Sequence, residues 1–263
     1  MIQALWTARA GLVSQQYNVD TIANNIANAD TTAFKRNTVH IEDMPYVYKL
    51  NPSVEKPRNE GELPHVGTGA RVVASPKYFA QGAMQQTERK LDLAIEGPGF
   101  FSVTDGMGNA FFTRDGNFKI AEVEENGLVH EYITTQDGYW LLGQNGLRIE
   151  LPAGTSEDDI SVSSNGVISA GGVDVGNLAI VEFTNPQGLQ ALGNNLYTQT
   201  DNAGQAAFAA GQSHVRQGFL ESSNVDMADE MTRLIQAQRV YALNAKALQT
   251  ADEMLGLANS IRR

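Results

Sequence analysis

A chain of 263 residues with 42% hydrophobic content is long enough to bury a substantial core, in one large domain or in two of medium size. It contains no cysteine, which excludes disulfides, iron–sulfur clusters, thiolate zinc sites and a cysteine nucleophile. The formal net charge is −11, and residues 121–160 hold nine acidic residues against a single arginine. This balance argues against nucleic acid as a partner, because phosphate binding needs a basic patch.

The N-terminal twenty residues lack the basic start and the uninterrupted apolar block of a cleaved signal peptide. No run in the sequence approaches the roughly 18 apolar residues that a membrane-spanning helix needs. We therefore expect no direct insertion into a membrane. We also expect that the protein either stays in the cytoplasm or leaves it by a route that does not cut off its N-terminus.

An apolar heptad seam runs along the first 29 residues. In alternating steps of three and four, hydrophobic or small residues recur from Leu5 to Ala29, with Gln15 as an exception. The pattern predicts a helix of about 37 Å that packs against other helices. The seam positions that we assign to self-assembly are Leu5, Leu12, Val19, Ile22 and Ile26.

The stretch ANNIANADTTAFKR, residues 23–36, places residues that usually end helices directly against this seam. We expect its Asn, Asp and Thr side chains to end the helix and to satisfy the last backbone groups by local hydrogen bonds. Phe34 then returns to an apolar site and anchors the turn, and we add it to the self-assembly residues.

Residues 45–64 carry four of the eight prolines together with Asn and Gly. This composition predicts an extended connector, because proline and the residue before it disfavour helix.

After the connector, the spacing of hydrophobic residues changes to a period of two. Turn dipeptides recur at 105–106, 115–116, 126–127, 137–138, 145–146 and 165–166, each of them Asp-Gly or Asn-Gly. The stretches FFSV, AFFT, NFKI, EYITT and YWLL lie between them and read as strands. Such dipeptides favour two-residue hairpin turns, so the centre of the chain is predicted to be an all-β, hairpin-rich module.

No catalytic, cofactor or metal site is expected. The four histidines are scattered, and the acidic runs lack the alternating oxygen ligands of a calcium loop. The short Gly-containing segments are not phosphate loops, and no serine lies in a G-x-S-x-G context. Two other classes stay open at this point, a secreted β-rich binding module such as a glycan adhesin and an envelope hydrolase.

The C-terminal segment repeats the heptad pattern from Met227 to Leu255, with no Gly or Pro between Phe219 and Leu255. Ser223 with Asp226 resembles a capping box in front of it. A second row from Val240 to Ile261 widens the apolar face beyond what one partner helix would cover. The self-assembly residues on this seam are Met231, Leu234, Tyr241, Leu248 and Leu255.

These observations predict an α+β fold in which the two terminal helices form a coiled-coil-like assembly layer around an all-β centre. The expected domains are an N-terminal assembly helix and turn at 1–40, a connector at 41–75, the β-rich module at 76–217 and a C-terminal assembly helix at 218–263.

The terminal segments ANNIANADTTAFKR and SSNVDMADEMTRLIQAQRVYALNAKALQTADEML resemble the signatures of the bacterial flagellar rod and hook family. The central motifs GTGARVVASPKYFAQGAMQQTERKLDLAIEGPGFFSV, FTRDGNF, DGYWLLG and FTNPQGLQALGNNLYTQT are most similar, in the same order, to its distal-rod members. The resemblance implies a non-enzymatic structural subunit of the basal body. Such a subunit assembles helically into a torque-transmitting shaft and export channel, with a proximal rod paralogue as the nearest alternative.

The resemblance also implies the partners and the location. The partners would be other copies of the chain, proximal rod subunits, hook protein, the flagellar type III export apparatus and, where an outer membrane exists, ring proteins. The place would be the basal body in the cell envelope, periplasmic or otherwise extracytoplasmic, reached without signal-peptide cleavage.

Two departures from the family pattern are visible. Ala33 stands where the family commonly has glycine, so we expect a turn there without a left-handed residue. The segment IEDMPYVYKLNPSVEKPRNEGELP follows the family's post-helix segment only loosely, which leaves the ring contacts and the exact rod position open.

Overall fold

The computed structural model describes residues 2–48, 65–125, 128–208 and 213–261. The chain divides into two compact units. We call residues 1–27, 37–77 and 226–263 the helical unit, and residues 28–36 and 78–225 the β unit. The predicted α+β composition is confirmed, since both terminal segments are helical and the centre is antiparallel β structure. Most of the predicted connector, residues 49–64, lies outside the described residues.

The helical unit contains the two long helices, α1 (Ile2–Ala27) and α2 (Met227–Ile261). The Asn25 amide near the end of α1 meets the Glu230 carboxylate near the start of α2, and Gly11 faces Asn244. The helices therefore run antiparallel within one chain. Neither is long and apolar enough to cross a membrane, so far as the described residues go.

Four short strands complete the helical unit. β1 pairs with β4 and β2 pairs with β3, both in antiparallel fashion. The strands are β1 (His40–Asp43), β2 (Val47–Tyr48), β3 (His65–Val66) and β4 (Ala70–Ala74).

The start of α2 differs from the capping box predicted around Ser223. The Asp226 carboxylate accepts hydrogen bonds from the backbone N–H groups of Ala228 and Asp229, at 2.9 and 3.3 Å. Asp226 is therefore the N-cap itself. The Ser223 hydroxyl accepts the N–H of Val225, before the helix begins.

The β unit contains a ten-stranded antiparallel sheet, a three-stranded sheet and two strand pairs. The sheet order is β12-β10-β11-β7-β8-β18-β17, with β9 beside β10, β16 beside β7 and β19 beside β16. The smaller groups are β13-β14-β15, β6-β20 and β5-β21. The strands are β5 (Met84–Gln86), β6 (Leu93–Glu96), β7 (Phe100–Thr104), β8 (Ala110–Thr113), β9 (Phe118–Glu125), β10 (Leu128–Thr135), β11 (Trp140–Leu141), β12 (Glu150–Leu151), β13 (Ile160–Val162), β14 (Val167–Ala170), β15 (Val173–Asn177), β16 (Ile180–Glu182), β17 (Gln190–Gly193), β18 (Leu196–Thr198), β19 (Ala207–Phe208), β20 (His214–Gln217) and β21 (Phe219–Glu221).

Strand β7 contributes side chains to two hydrophobic clusters, because it is buried on both faces. Successive side chains of a strand point to opposite sides. Phe101 and Val103 accordingly lie in the larger cluster, with Phe118 and Ile133. Phe100 lies in the smaller aromatic cluster, whose other members include Phe112, Phe183 and Tyr197.

Four of the predicted turn dipeptides connect neighbouring antiparallel segments, at 105–106, 137–138, 145–146 and 165–166. The dipeptide at 126–127 lies outside the described residues, although β9 and β10 on either side of it do pair. The hairpin predicted at Asp115-Gly116 is wrong, because β8 pairs with β7 and β18 while β9 pairs with β10. Gly116 instead lies against β6, where its carbonyl accepts the N–H of Leu93 at 3.0 Å.

The turn after α1 is also different from the expectation. Ala33 has φ +55°, so the turn does use a left-handed residue, with alanine where the family commonly has glycine. Its side chain is buried, and its N–H donates to the Glu221 carbonyl at 2.7 Å. The hydrogen bond and the burial hold the residue in a backbone region that costs about 1–2 kcal/mol for an L-residue.

We expect Ala33→Gly to change the free energy of unfolding by less than about 1 kcal/mol. Relief of the left-handed strain is offset by the added backbone entropy of glycine and by the lost methyl burial, each of similar size. Ala33→Val should cost at least about 2 kcal/mol, because a β-branched residue is a steric outlier at positive φ. Urea unfolding of both variants checks this, and equal losses for Gly and Val would contradict the strained-turn interpretation.

Candidate assembly surface

The two long helices pack through a small buried set of residues. Ile22 of α1 and Ala237 of α2 are both buried, and so is Ser14, whose hydroxyl donates to the Ala70 carbonyl of β4 at 3.1 Å. The serine hydroxyl attaches β4 to the side of α1.

Asn25 has a different role from the one predicted for it. It lies inside α1, fully buried, rather than ending the helix. Its side-chain carbonyl accepts the N–H of Asn37 at 2.9 Å, and its amide donates to the Asn37 carbonyl at 2.9 Å. The same amide donates to the Glu230 carboxylate at 3.2 Å. Asn25 therefore ties the returning chain and α2 to α1, and its three bonds satisfy buried polar atoms.

The hydrogen bonds at the helix end are local only in part. Thr31 donates through both its N–H and its hydroxyl to Asn28, as expected for a helix terminator. The Thr32 hydroxyl instead donates to the Asp115 carboxylate, 83 residues away in the sequence, at 3.1 Å. Sequence spacing gives no signal for such a long-range bond.

The residues assigned to self-assembly fall into three groups by exposure. All of them except Phe34 belong to the helical unit. Ile22 and Phe34 are buried, Met231 and Tyr241 are exposed, and the partly buried members are Leu5, Leu12, Val19, Ile26, Leu234, Leu248 and Leu255.

Large apolar side chains that are not among the residues assigned to self-assembly are exposed on both helices. On α1 they are Trp6, Val13 and Tyr17, and on α2 they include Met227, Ile235, Leu243, Met254 and Leu257. The steps from Trp6 to Val13 to Tyr17, and from Met227 to Met231 to Ile235, place each set on one helix face. Met227 begins the C-terminal seam and Met254 lies on its second row, whereas the others lie beside the seam and are missed by steps of three and four. Contiguous exposed apolar surface of this kind marks an interaction site.

A groove of about 610 Å³ lies between α1 and β4. Trp6, Val13 and Tyr17 form apolar parts of its wall, and Arg9 and Arg71 add positive charge. The Arg9 guanidinium lies over the Trp6 ring at 5.4 Å. These residues are all in the helical unit.

A buried ion cluster in the β unit was not anticipated from the sequence. The Glu221 carboxylate lies 2.5 Å from the Lys35 ammonium and 3.2 Å from the Arg114 guanidinium, and all three side chains are at most 4% exposed. Glu221 also accepts the N–H of Gly82 at 2.7 Å. Glu221 lies 186 positions after Lys35 and 107 positions after Arg114, so no local motif could have revealed the cluster.

Among the residues that the structure describes, no three His, Cys, Asp or Glu side chains are placed to share a metal ion.

Family models match three parts of the chain. A model described as "Flagella basal body rod protein" matches residues 5–35, which contain most of α1 and the following turn. "Flagellar hook protein FlgE/F/G D1 domain" matches residues 94–170 of the β unit. "Flagellar basal body rod FlgEFG protein C-terminal" matches residues 216–261, which contain α2.

Curated relatives match over the full length. The "Flagellar basal-body rod protein FlgG" of Borreliella burgdorferi is 39% identical, with all of both chains covered. The protein of the same name from Bacillus subtilis is 35% identical over the same full coverage. The "Flagellar hook-basal body complex protein FlhP" of Bacillus subtilis is 34% identical, also with all of both chains covered.

Proposed function

The chain belongs to the flagellar basal-body rod family and is a structural subunit of that rod, not an enzyme; from this premise we propose that it is a distal rod subunit that polymerises helically through its helical unit. The polymer forms a hollow shaft that transmits torque and leaves a channel for export. The observation that carries the proposal is the exposed apolar surface on both α1 and α2, which a single chain leaves in contact with water.

This proposal says which side chains form the coiled-coil-like layer that the sequence predicts. Within one chain α1 and α2 already bury part of their seams against each other. The side chains left exposed, among them Met231, Ile235 and Leu257, are then available to helices of neighbouring copies. A contact between different patches of identical subunits repeats into an open helix whenever the rotation does not close a ring.

The distal position is supported by relatives named FlgG that match from end to end. The FlhP protein of Bacillus subtilis carries a different name, yet its identity to this chain is similar to that of the FlgG protein from the same organism. A proximal rod paralogue therefore remains the second candidate. In either position the partners are other copies of this chain, neighbouring rod subunits, hook protein, the type III export apparatus and, where there is an outer membrane, ring proteins. The place is the extracytoplasmic part of the basal body, reached without a cleaved signal peptide.

Replacement of one exposed apolar residue tests the proposal. Ile235 is 53% exposed, so we expect Ile235→Ser to leave the thermal midpoint of the monomer nearly unchanged. The critical concentration for polymerisation should rise roughly tenfold, because burying an isoleucine contributes about 1.5–3 kcal/mol and 1.4 kcal/mol is a factor of ten. Circular dichroism and sedimentation measure the two quantities.

Gln249→Ser is the matched control, since it makes a similar change at an exposed polar position of the same helix. It should leave both quantities unchanged. An unchanged critical concentration for Ile235→Ser would remove the support for assembly through this face.

A further inference from the structure

A cavity of about 320 Å³ lies in the β unit, and every residue that lines it belongs to that unit. Its walls are largely apolar, with Phe79, Phe183 and Pro186 among them. Two charged side chains, Arg114 and Glu182, line the same cavity. The volume is at the lower end of the range for ligand pockets, about 300–1,000 Å³, so it suits one small molecule rather than a polymer.

Arg114 is the buried charge of this cavity, with 4% of its side chain exposed. One terminal nitrogen donates to the Glu221 carboxylate, which Lys35 shares, and the other donates to the Gly97 carbonyl at 2.8 Å. The Arg114 Nε is buried and has no hydrogen-bond partner among the residues that the structure describes. Buried polar groups almost always have a partner, so this N–H favours a bound molecule that brings an acceptor. A carboxylate is the acceptor that matches a guanidinium best.

Glu182 supplies the opposite charge to the cavity. It ends β16 and is partly buried, and its Oε1 accepts the Ser213 hydroxyl at 2.9 Å. Its Oε2 accepts no hydrogen bond from any residue within the described ranges. This oxygen can therefore accept a hydrogen bond from an ammonium group. A guanidinium and a carboxylate that line one apolar cavity match a small molecule that carries both charges.

The cavity is preformed, because the loop at 97–99 is held from both sides. The Gly97 N–H donates to the side-chain carbonyl of Gln81 at 3.1 Å, and the Pro98 carbonyl accepts the Ser213 hydroxyl. Gly97 and Gly99 have φ +111° and +144°, a backbone region that favours glycine. A ligand that enters a pocket held in this way loses little affinity to the ordering of the protein.

We propose that this cavity binds a free α-amino acid with a large apolar side chain. The α-carboxylate accepts the Nε–H of Arg114, and the α-ammonium donates to the carboxylate of Glu182. The apolar side chain packs against Phe79, Phe183 and Pro186. The inference goes beyond the proposed function and does not depend on polymerisation, because the lining residues all belong to the β unit of one chain.

Titration of the full chain with L-phenylalanine, phenylpropionate and phenylethylamine shows which charges the cavity recognises. The first probe carries both charges, the second only the carboxylate and the third only the ammonium. L-phenylalanine should bind saturably, and each of the other two at least about tenfold more weakly, because each lacks one charge-assisted hydrogen bond. In proton–nitrogen NMR spectra the Nε–H resonance of Arg114 should shift with L-phenylalanine and with phenylpropionate, the two probes that bring a carboxylate.

Glu182→Gln separates the two ends of the ligand. It should weaken the binding of L-phenylalanine by about fivefold or more and leave that of phenylpropionate unchanged, because it removes only the partner of the ammonium. Glu124→Gln is the matched control, since it makes the same change at an exposed position of β9 that does not line the cavity. The control should leave the binding of both probes unchanged.

Saturable binding of L-phenylalanine that Glu182→Gln weakens selectively supports the inference. Equal affinity for the three probes would show that the cavity recognises only the apolar ring, and would overturn it. Equal losses in Glu182→Gln and Glu124→Gln, or no saturable shift at millimolar L-phenylalanine, would overturn it as well. None of these results bears on whether the chain polymerises, so the proposed function is tested separately.

Discussion

Glu221→Gln is expected to lower the free energy of unfolding by about 3–5 kcal/mol, because it leaves two buried cations without their anion. Glutamine keeps the shape and one acceptor oxygen for the Gly82 N–H. It cannot neutralise Lys35 and Arg114, whose side chains are 0% and 4% exposed. Burial already lowers the pKa of Lys35 below its ordinary value, and the charge of Glu221 is the main influence that opposes this.

The control for this variant is Glu96→Gln. Glu96 pairs with Arg216 at 2.7 Å, but both side chains are nearly half exposed. An ion pair of that kind contributes about 0–1 kcal/mol. Urea unfolding of the full chain measures both variants, and similar losses for Glu221→Gln and Glu96→Gln would show that the buried cluster is not what holds these segments together.

Gly116→Ala is the second change with a large expected effect. A Cβ atom at this position would lie 1.5 Å from the Leu93 carbonyl oxygen, which is backbone and cannot rotate away. The strands must then separate at the hydrogen bond between the Leu93 N–H and the Gly116 carbonyl. Overpacking typically costs about 1–3 kcal/mol and occasionally more, and a clash with backbone places this variant at the upper end of that range.

Gly176→Ala provides the comparison, because a Cβ atom there would have no neighbour within 4 Å. We expect a change below about 0.5 kcal/mol for this surface substitution. Thermal unfolding by circular dichroism ranks the two variants. A Gly116→Ala protein as stable as the parent would mean that β6 and residue 116 do not approach each other as described.

Periodicity explains why the helices could be predicted. A heptad seam is a local signal, and the two predicted seams, from Leu5 to Ala29 and from Met227 to Leu255, overlap α1 and α2. The strands between residues 100 and 141 were likewise readable, because alternation and Asp-Gly or Asn-Gly turns are also local. The same turn signal failed at Gly116, where glycine serves a close backbone approach rather than a hairpin.

Contacts between distant parts of the chain were not predictable from one sequence. Asparagine often ends helices, yet the hydrogen bonds of Asn25 to Asn37 and Glu230 keep it inside α1. Ala33 adopts a left-handed conformation because its surroundings determine it. A seam likewise gives no information on which of its rows pairs within a chain and which remains exposed, and that distinction defines the candidate assembly surface.

Cryo-electron microscopy of polymers grown from the purified chain is the most direct test of the central claim, that copies assemble through their helical units. The account predicts a hollow helical polymer in which α1 and α2 of each copy contact α1 and α2 of its neighbours through the exposed apolar residues. A protein that remains monomeric at high concentration, or a polymer whose contacts between copies involve the β unit alone, would contradict it.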